Sequence, residues 1–406
     1  MQDLQLSSTA STDEAPPTLP EFIEKHTLTG HTKPVNTLAI SPDQAFILSG
    51  GDDCILIIWD VLSGRLLQEI RVHINGPVGS ATWVWTDEDR VSSGFIFGCA
   101  DGTVQYFRKE AASFRPICTQ ETSASRASVD AIAFDSHHHR VSTASGGTTC
   151  LWSLDHTGML YRREDNPLLA LNLALGLKEI RQVETQDLIV STLLFIEAGT
   201  ILVVCYLESQ EAVAYEIDPW KVLWRRILRT RIGFALAAPN KTLAVSNLSD
   251  GIDIYSTPPS RLLDTHQHPV RQNYRLQMAS FYGGAFVAVG SDSGKPRIYS
   301  RTGGLHRTVP HGHRLVPTIV SSQSGDTCYL GTAATEHPFD IKVWVATKAE
   351  VMVSSVEDGN QVLSPKQLLL IAFLCILTQI ILSQLEPVSE LGYMVAGRLL
   401  RLMQSY

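Results

Sequence analysis

The stretch that decides the fold is LTGHTKPVNTLAISPDQAFILSGGDDCILIIWDVLSGRLLQEI, residues 28–70. Its short alternating apolar runs are separated by the turn-forming sequences Ser41–Asp43 and Gly50–Asp53. Alternation with a period of two between turn signals predicts short antiparallel strands. The dipeptide Gly30-His31 precedes the first run, and Trp59-Asp60 closes the third. The stretch therefore predicts a four-stranded antiparallel meander.

Weaker copies of this unit follow along the chain. The aromatic residue that ends the third strand recurs at intervals of 40 to 63 residues, at Trp59, Phe107, Trp152, Tyr215, Tyr255, Tyr299 and Trp344. The innermost strand also recurs, starting near residues 35, 78, 129, 189, 231, 275 and 315. Propeller repeats have a comparable period of roughly 40–45 residues. We therefore predict an all-β fold, a seven-bladed β-propeller, followed by a C-terminal hydrophobic α-helix.

The Gly-His and Trp-Asp dipeptides of the first unit closely resemble the WD40-repeat family. The resemblance extends in degenerate form over residues 22–347 and identifies no subfamily. It implies a hydrogen-bonded set that locks the first blade, consisting of His31, Ser49, Asp53 and Trp59. The set superficially imitates a Ser-His-Asp hydrolase, but these residues occupy the family's structural positions. His311 and His313, in the sequence HGHR, are interpreted as the corresponding signal of the seventh blade.

Ring closure and domain limits follow from the same reading. Propellers commonly complete the last blade with a strand from the other terminus, and Phe22–Leu28 is predicted to be that strand. The long interval before Tyr215 holds an insertion at about 155–188, which we expect on the rim between the third and fourth blades. The predicted organisation is a disordered lead at 1–20, the propeller at 21–347, a linker at 348–366, a hydrophobic helix at 367–385 and a tail at 386–406.

Composition excludes several classes of function. A net charge of −8 provides no basic field for nucleic acid, so no nucleic-acid partner is expected. The seven cysteines are scattered without close pairs, which argues against a disulfide framework or a zinc site. The run His137–His139 falls in a predicted turn, where adjacent histidines cannot all face one ion. No motif of a hydrolase, metalloprotease or nucleotide site is present, so no catalytic residue, metal or cofactor is predicted.

One basic stretch, WKVLWRRILRTR, contains no acidic residue. We place it on the outer strand of the fourth blade and the start of the fifth. Its cations can simply discourage aggregation of an edge strand, or they can form a patch for an acidic peptide or anionic lipid headgroups. The candidate patch consists of Lys221, Arg225, Arg226, Arg229 and Arg231.

The segment Gln367–Leu385 has 19 residues without a charge, between Lys366 and Glu386. As a helix it would measure about 28 Å at 1.5 Å per residue, close to a thin bilayer core of roughly 27 Å. We predict a transmembrane helix, with a buried or oligomer-forming helix as the alternative. The N-terminus has no apolar signal region. These features predict a tail-anchored protein with a cytosolic propeller on the endoplasmic reticulum or another internal membrane.

The predicted function is that of a non-enzymatic scaffold. It would bind protein partners on the rim or on the top face, which is the end of the ring where the inner strands begin. The layout of propeller followed by membrane helix is also similar to that of a membrane-anchored exchange factor for a small GTPase. A soluble WD40 adaptor whose tail helix mediates packing or assembly is the third possibility.

Overall fold

The computed structural model describes residue 19 and residues 21–86, 91–122, 126–154, 160–162, 183–184, 188–238, 241–301, 304–312 and 315–347. These residues form 29 β-strands in seven antiparallel sheets. The described part of the chain contains no helix with the length and apolar character needed to cross a membrane. The predicted lead (apart from Leu19), linker, hydrophobic helix and tail lie outside the described residues.

Each sheet is a blade whose strands follow one another outwards from the centre. Blade 1 comprises β2 (Val35–Ile40), β3 (Phe46–Gly51), β4 (Ile55–Asp60) and β5 (Leu66–Arg71). Blade 2 comprises β6 (Val78–Trp85), β7 (Ser92–Cys99), β8 (Thr103–Glu110) and β9 (Ser113–Glu121). Blade 3 comprises β10 (Val129–Asp135), β11 (Arg140–Ser145), β12 (Thr148–Leu154), β13 (Leu160–Arg162) and β14 (Val183–Glu184).

The next three blades have the same order. Blade 4 comprises β15 (Val190–Ile196), β16 (Ile201–Tyr206), β17 (Glu211–Glu216) and β18 (Lys221–Ile227). Blade 5 comprises β19 (Phe234–Ala238), β20 (Thr242–Ser246), β21 (Gly251–Ser256) and β22 (Leu262–Gln267). Blade 6 comprises β23 (Met278–Phe281), β24 (Phe286–Val289), β25 (Arg297–Ser300) and β26 (Leu305–Thr308).

Blade 7 joins the two ends of the ring. It comprises β27 (Thr318–Ser324), β28 (Thr327–Ala333), β29 (Ile341–Thr347) and, outermost, β1 (Ile23–Leu28). The antiparallel pairing of β1 with β29 runs from Ile23 opposite Val345 to Leu28 opposite Ile341. The prediction that the N-terminal segment supplies the missing outer strand is confirmed.

The inner strands close a ring. Each of β2, β6, β10, β15, β19 and β23 contacts the next inner strand, and β27 contacts β2. All seven predicted aromatic anchors lie in the third strands β4, β8, β12, β17, β21, β25 and β29. The prediction of a seven-bladed all-β propeller is therefore confirmed, whereas the C-terminal helix stays a prediction.

Buried apolar side chains lie between neighbouring blades rather than in one central core. Each pair of adjacent blades shares a hydrophobic cluster, including the pair formed by blades 7 and 1. The blades approach closely where the second strand carries glycine, because a Cβ on Gly50 would lie 2.5 Å from Val78 of blade 2. Stability therefore depends on every junction of the ring.

The outer strand of blade 3 departs from the pattern. Two short pieces, β13 and β14, both pair with β12, at its C-terminal and N-terminal ends respectively. Both pieces fall inside the predicted insertion at 155–188. We expected that stretch to connect blades 3 and 4. Part of it instead takes the place of the fourth strand of blade 3, as two separate pieces. The remainder of the insertion lies outside the described residues.

Candidate functional site

The four residues implied to lock blade 1 are in contact. The Trp59 indole Nε1–H donates to Ser49 Oγ at 2.8 Å, and Ser49 Oγ lies 2.8 Å from His31 Nε2. His31 Nδ1 lies 2.9 Å from Asp53 Oδ2. Because the indole can only donate, one consistent assignment has Ser49 donating to Nε2 and Nδ1–H donating to Asp53. The chain of bonds connects the top-face turn to the second and third strands.

The geometry of this set serves structure rather than hydrolysis. The Ser49 side chain is fully buried, and its oxygen already accepts the indole proton. A nucleophile needs access to a substrate carbonyl and donors for an oxyanion. Burial acts to raise the pKa of the Asp53 carboxyl, but the His31 ring and the Thr32 amide outweigh it and leave this pKa below its ordinary value. Asp53 is therefore held as a carboxylate that anchors the turn.

Blade 7 carries a second version of this lock. The Trp344 indole Nε1–H donates to Thr332 Oγ1 at 3.0 Å, and that hydroxyl lies 2.8 Å from His311 Nδ1. His311 Nε2 lies 3.5 Å from Asp340 Oδ1. Two histidines were interpreted as the signal of this blade. His311 occupies the lock, although it is His313 that forms the Gly-His dipeptide with Gly312. His313 lies outside the described residues.

Other blades replace the set with different chemistry. In blade 2, Asn75 Nδ2 donates to Asp101 Oδ2 at 2.8 Å, so an amide stands where blade 1 has histidine. In blade 6, Tyr299 Oη lies 3.0 Å from His268 Nδ1, and burial lowers the pKa of this imidazole to about 4. Sequence reasoning missed Asn75 and His268. His268 lies on the loop before blade 6. It precedes the aromatic anchor Tyr299 by 31 residues, and this spacing could have identified it because His31 precedes Trp59 by 28 residues.

The candidate basic patch lies on β18 and the following turn, as expected. Carboxylates from neighbouring segments lie within 4.0 Å of four of its cations. The pairs are Lys221 with Glu216, Arg225 with Glu211, Arg229 with Asp253 and Arg231 with Glu208. Arg226 donates to the Arg225 carbonyl oxygen at 2.9 Å. The patch stays a prediction, and its free positive charge is smaller than the sequence indicates.

The run His137–His139 lies in the turn between β10 and β11. His138 Nδ1 lies 2.9 Å from Asp135 Oδ2, and the Asp135 side chain also contacts Arg140 at 3.4 Å. Within the described ranges, no group of three or more His, Cys, Asp or Glu side chains is placed to hold a metal ion.

A central cavity of about 1110 Å³ lies inside the ring, lined by the inner strands of all seven blades. Residues of the loops that precede inner strands, including Pro34, Pro77 and Tyr274, line its top end. Short polar side chains join one inner strand to the next around the wall. Ser80 Oγ donates to the Val129 carbonyl oxygen at 2.8 Å. Similar bonds also link other neighbouring inner strands, through Thr37, Thr192 and Thr318.

Two long side chains from the start of blade 6 extend to other blades. Gln277 Nε2 donates to the Asn36 carbonyl oxygen of blade 1 at 3.2 Å. The Arg275 guanidinium donates to the Ser191 carbonyl oxygen of blade 4 at 2.7 Å and to the Gly233 carbonyl oxygen before blade 5 at 3.3 Å. These contacts place an amide and a cation in the cavity, and no pattern in the sequence signalled them.

A closed ring of seven antiparallel blades, with His–hydroxyl–Trp locks in blades 1 and 7, has the architecture of a WD-repeat propeller. The family model "WD domain, G-beta repeat" matches residues 23–60, which run from β1 to the end of β4. Residues 23–60 therefore carry a WD40 repeat, and the seven-bladed ring around them has the sheet arrangement of a WD40-repeat propeller.

Similarity to curated proteins is confined to short stretches. The chain is 37% identical over 54 residues to ribosome biogenesis protein erb1 of Aspergillus fumigatus, covering 13% of this chain and 7% of that protein. It is 41% identical over 46 residues to small ribosomal subunit protein RACK1 of Medicago sativa, covering 11% of this chain and 14% of that protein. With RACK1z of Arabidopsis thaliana the identity is 39% over 49 residues, covering 12% and 15% of the two chains. The chain thus spans well under a fifth of each relative.

Proposed function

We propose that this protein is a non-enzymatic scaffold that binds protein partners on its top face. The observation that supports this proposal best is the mouth of the central cavity, where loops of several blades converge on a rigid ring. Propellers of the WD40 family generally act as interaction scaffolds. The two kinds of relative, named for ribosome biogenesis and for the small ribosomal subunit, are consistent with such a role.

Exposed apolar side chains mark the same face. Ile74, in the loop before β6, is 97% exposed, and Tyr274, in the loop before β23, is 45% exposed. Isolated exposed apolar residues are common on monomers, but aromatic anchors beside a pocket are enriched where proteins bind one another. Tyr274 also lines the cavity, so a partner that covers it would seal the cavity mouth.

The double substitution Ile74→Ser and Tyr274→Ala is expected to reduce the recovery of bound proteins about tenfold, the typical loss when a hot-spot side chain is truncated. The measurement is quantitative affinity purification of the full chain after cross-linking in cells. Ile227→Ser is the matched control, since Ile227 is also exposed, at 72%, but lies on the outer strand of blade 4. If the control loses partners and the double variant keeps them, binding occurs on the rim and the proposal is wrong.

We further propose that residues 367–385 tether the scaffold to the endoplasmic reticulum or another internal membrane, with the propeller in the cytosol. The 19 uncharged residues of this segment support the tether. Flotation of carbonate-washed membranes compares the full chain with a chain ending at Lys366. We expect only the full chain to float. If neither floats, the segment serves packing or assembly, and the soluble-adaptor alternative replaces the tether.

A further inference from the structure

We propose that the central cavity binds a carboxylate group of a partner protein through Arg275. This inference rests on the proposed top-face function and specifies the chemistry that the cavity recognises. Arg275 lines the cavity together with the polar side chains of Asn36, Asp130 and Gln277. An acidic side chain from a segment lying over Tyr274 would enter the cavity from the top face.

The guanidinium of Arg275 has unused donors. It carries five N–H groups, of which one on Nε and one on Nη2 donate to carbonyl oxygens. Among the described residues, no carboxylate lies within ion-pair distance of Arg275, and Nη1 has no hydrogen-bond partner. Arg275 itself lines the cavity, and we place its remaining donors on that side. A carboxylate can accept two such N–H groups at once.

The cation is already largely desolvated and is held in position. Burial lowers the pKa of the Arg275 guanidinium, and the charge of Asp130 offsets part of that effect. An arginine side chain nevertheless remains protonated at neutral pH. Because the Ser191 and Gly233 carbonyl oxygens hold the planar group from one side, little side-chain entropy is lost when a ligand binds its other edge.

The other charges in the cavity select among anions. Asp52 and Asp130 line the same cavity. Their negative charges oppose any anion, and they oppose a phosphate of charge near −2 more strongly than a carboxylate of charge −1. The cavity therefore favours a glutamate or aspartate side chain over a phosphorylated residue.

The test measures binding of a rhodamine-labelled hexaglutamate peptide to the full chain by fluorescence anisotropy at fixed ionic strength. Arg275→Gln is expected to weaken binding about tenfold, the scale of one charged hydrogen-bonded contact. Arg271→Gln is the matched control, because it removes the same charge from an exposed position four residues away. We expect less than about a twofold change in the control, since salt screens exposed charges.

Asp130→Asn supplies a second test that leaves the Arg275 side chain and its two hydrogen bonds in place. Removing this negative charge is expected to tighten binding of the peptide roughly twofold to fivefold. If Arg275→Gln fails to fold, the Asp130→Asn variant still tests the proposal. An affinity for hexaglutamate that is weaker than or equal to that of the wild type contradicts it. Failure of hexaglutamate to bind the wild-type chain also overturns it.

Two further peptides test whether the cavity recognises a carboxylate rather than an uncharged amide or a phosphate. A hexaglutamine peptide is expected not to bind, and a peptide with phosphoserine in place of glutamate is expected to bind more weakly than hexaglutamate. Tighter binding of phosphoserine would overturn the assignment of a carboxylate. If Ile74→Ser with Tyr274→Ala loses cellular partners while Arg275→Gln keeps them, the top-face function stands and the carboxylate inference alone fails.

Discussion

Deletion of residues 1–28 is expected to abolish cooperative thermal unfolding of the propeller. The deletion removes β1 and leaves β29 as an open edge. It also removes the buried side chains of Leu19, Phe22 and Leu28, which pack against blades 6, 7 and 1. Three such side chains contribute on the order of 5 kcal/mol, about the whole stability of a typical domain. The measurement is circular dichroism during heating.

A shorter deletion is the control. Removal of residues 1–18 leaves β1 and all described residues in place, so we expect a melting temperature within about 1 °C of the full chain, as for surface changes of less than about 0.5 kcal/mol. A cooperative transition at the original temperature after removal of residues 1–28 would show that the pairing of β1 with β29 does not hold the ring closed.

Replacing Asp53 by alanine is expected to lower the free energy of unfolding by about 3 kcal/mol, because it leaves buried donors unpaired. The donors are His31 Nδ1 and the Thr32 amide, both 2.9 Å from Asp53 Oδ2. Urea denaturation at pH 7 measures the effect. The control is Asp52→Ala in the same turn, whose carboxylate accepts from Asn36 Nδ2 at a less buried position. There we expect a loss of about 1 kcal/mol or less.

Asp53 is also expected to make the free energy of unfolding depend on pH. The folded-state pKa of Asp53 lies below its ordinary value, so its contribution is fully present above the unfolded pKa near 3.9 and is lost as the pH falls through the folded pKa. The stability difference between the wild type and Asp53→Asn should therefore be constant from pH 7 to about pH 5 and shrink below pH 4. A difference that stays constant down to pH 2 would contradict the role assigned to this carboxylate.

The sequence predicted the features that repeat, because repetition is visible along the chain. The spacing of Trp59, Trp152 and Trp344 reports the third strand of each blade, and the structure places all three there. The closing strand was also predictable. The last repeat supplies only three strands, and a blade needs a fourth. The lock of blade 1 followed from a family resemblance rather than from any physical pattern.

Contacts between blades were not predictable from the sequence. Arg275 reaches Ser191, which is 84 residues away, and Gln277 reaches Asn36, which is 241 residues away. Such pairings depend on the ring being closed and carry no local signal. The ion pairs of the basic stretch were hidden for the same reason, because Glu211 and Asp253 approach it only after the strands have paired.

The pairing of Ile23 with Val345 has a consequence for biosynthesis. The first strand leaves the ribosome more than 300 residues before its partner, and at roughly 5–20 residues per second the interval is about 16–65 s. During this time blades 1 to 6 can form, but the ring stays open and the apolar surfaces at both of its ends are uncovered. We therefore expect the nascent chain to expose hydrophobic surface that chaperones can bind until the strand Ile341–Thr347 has emerged and paired with the first strand.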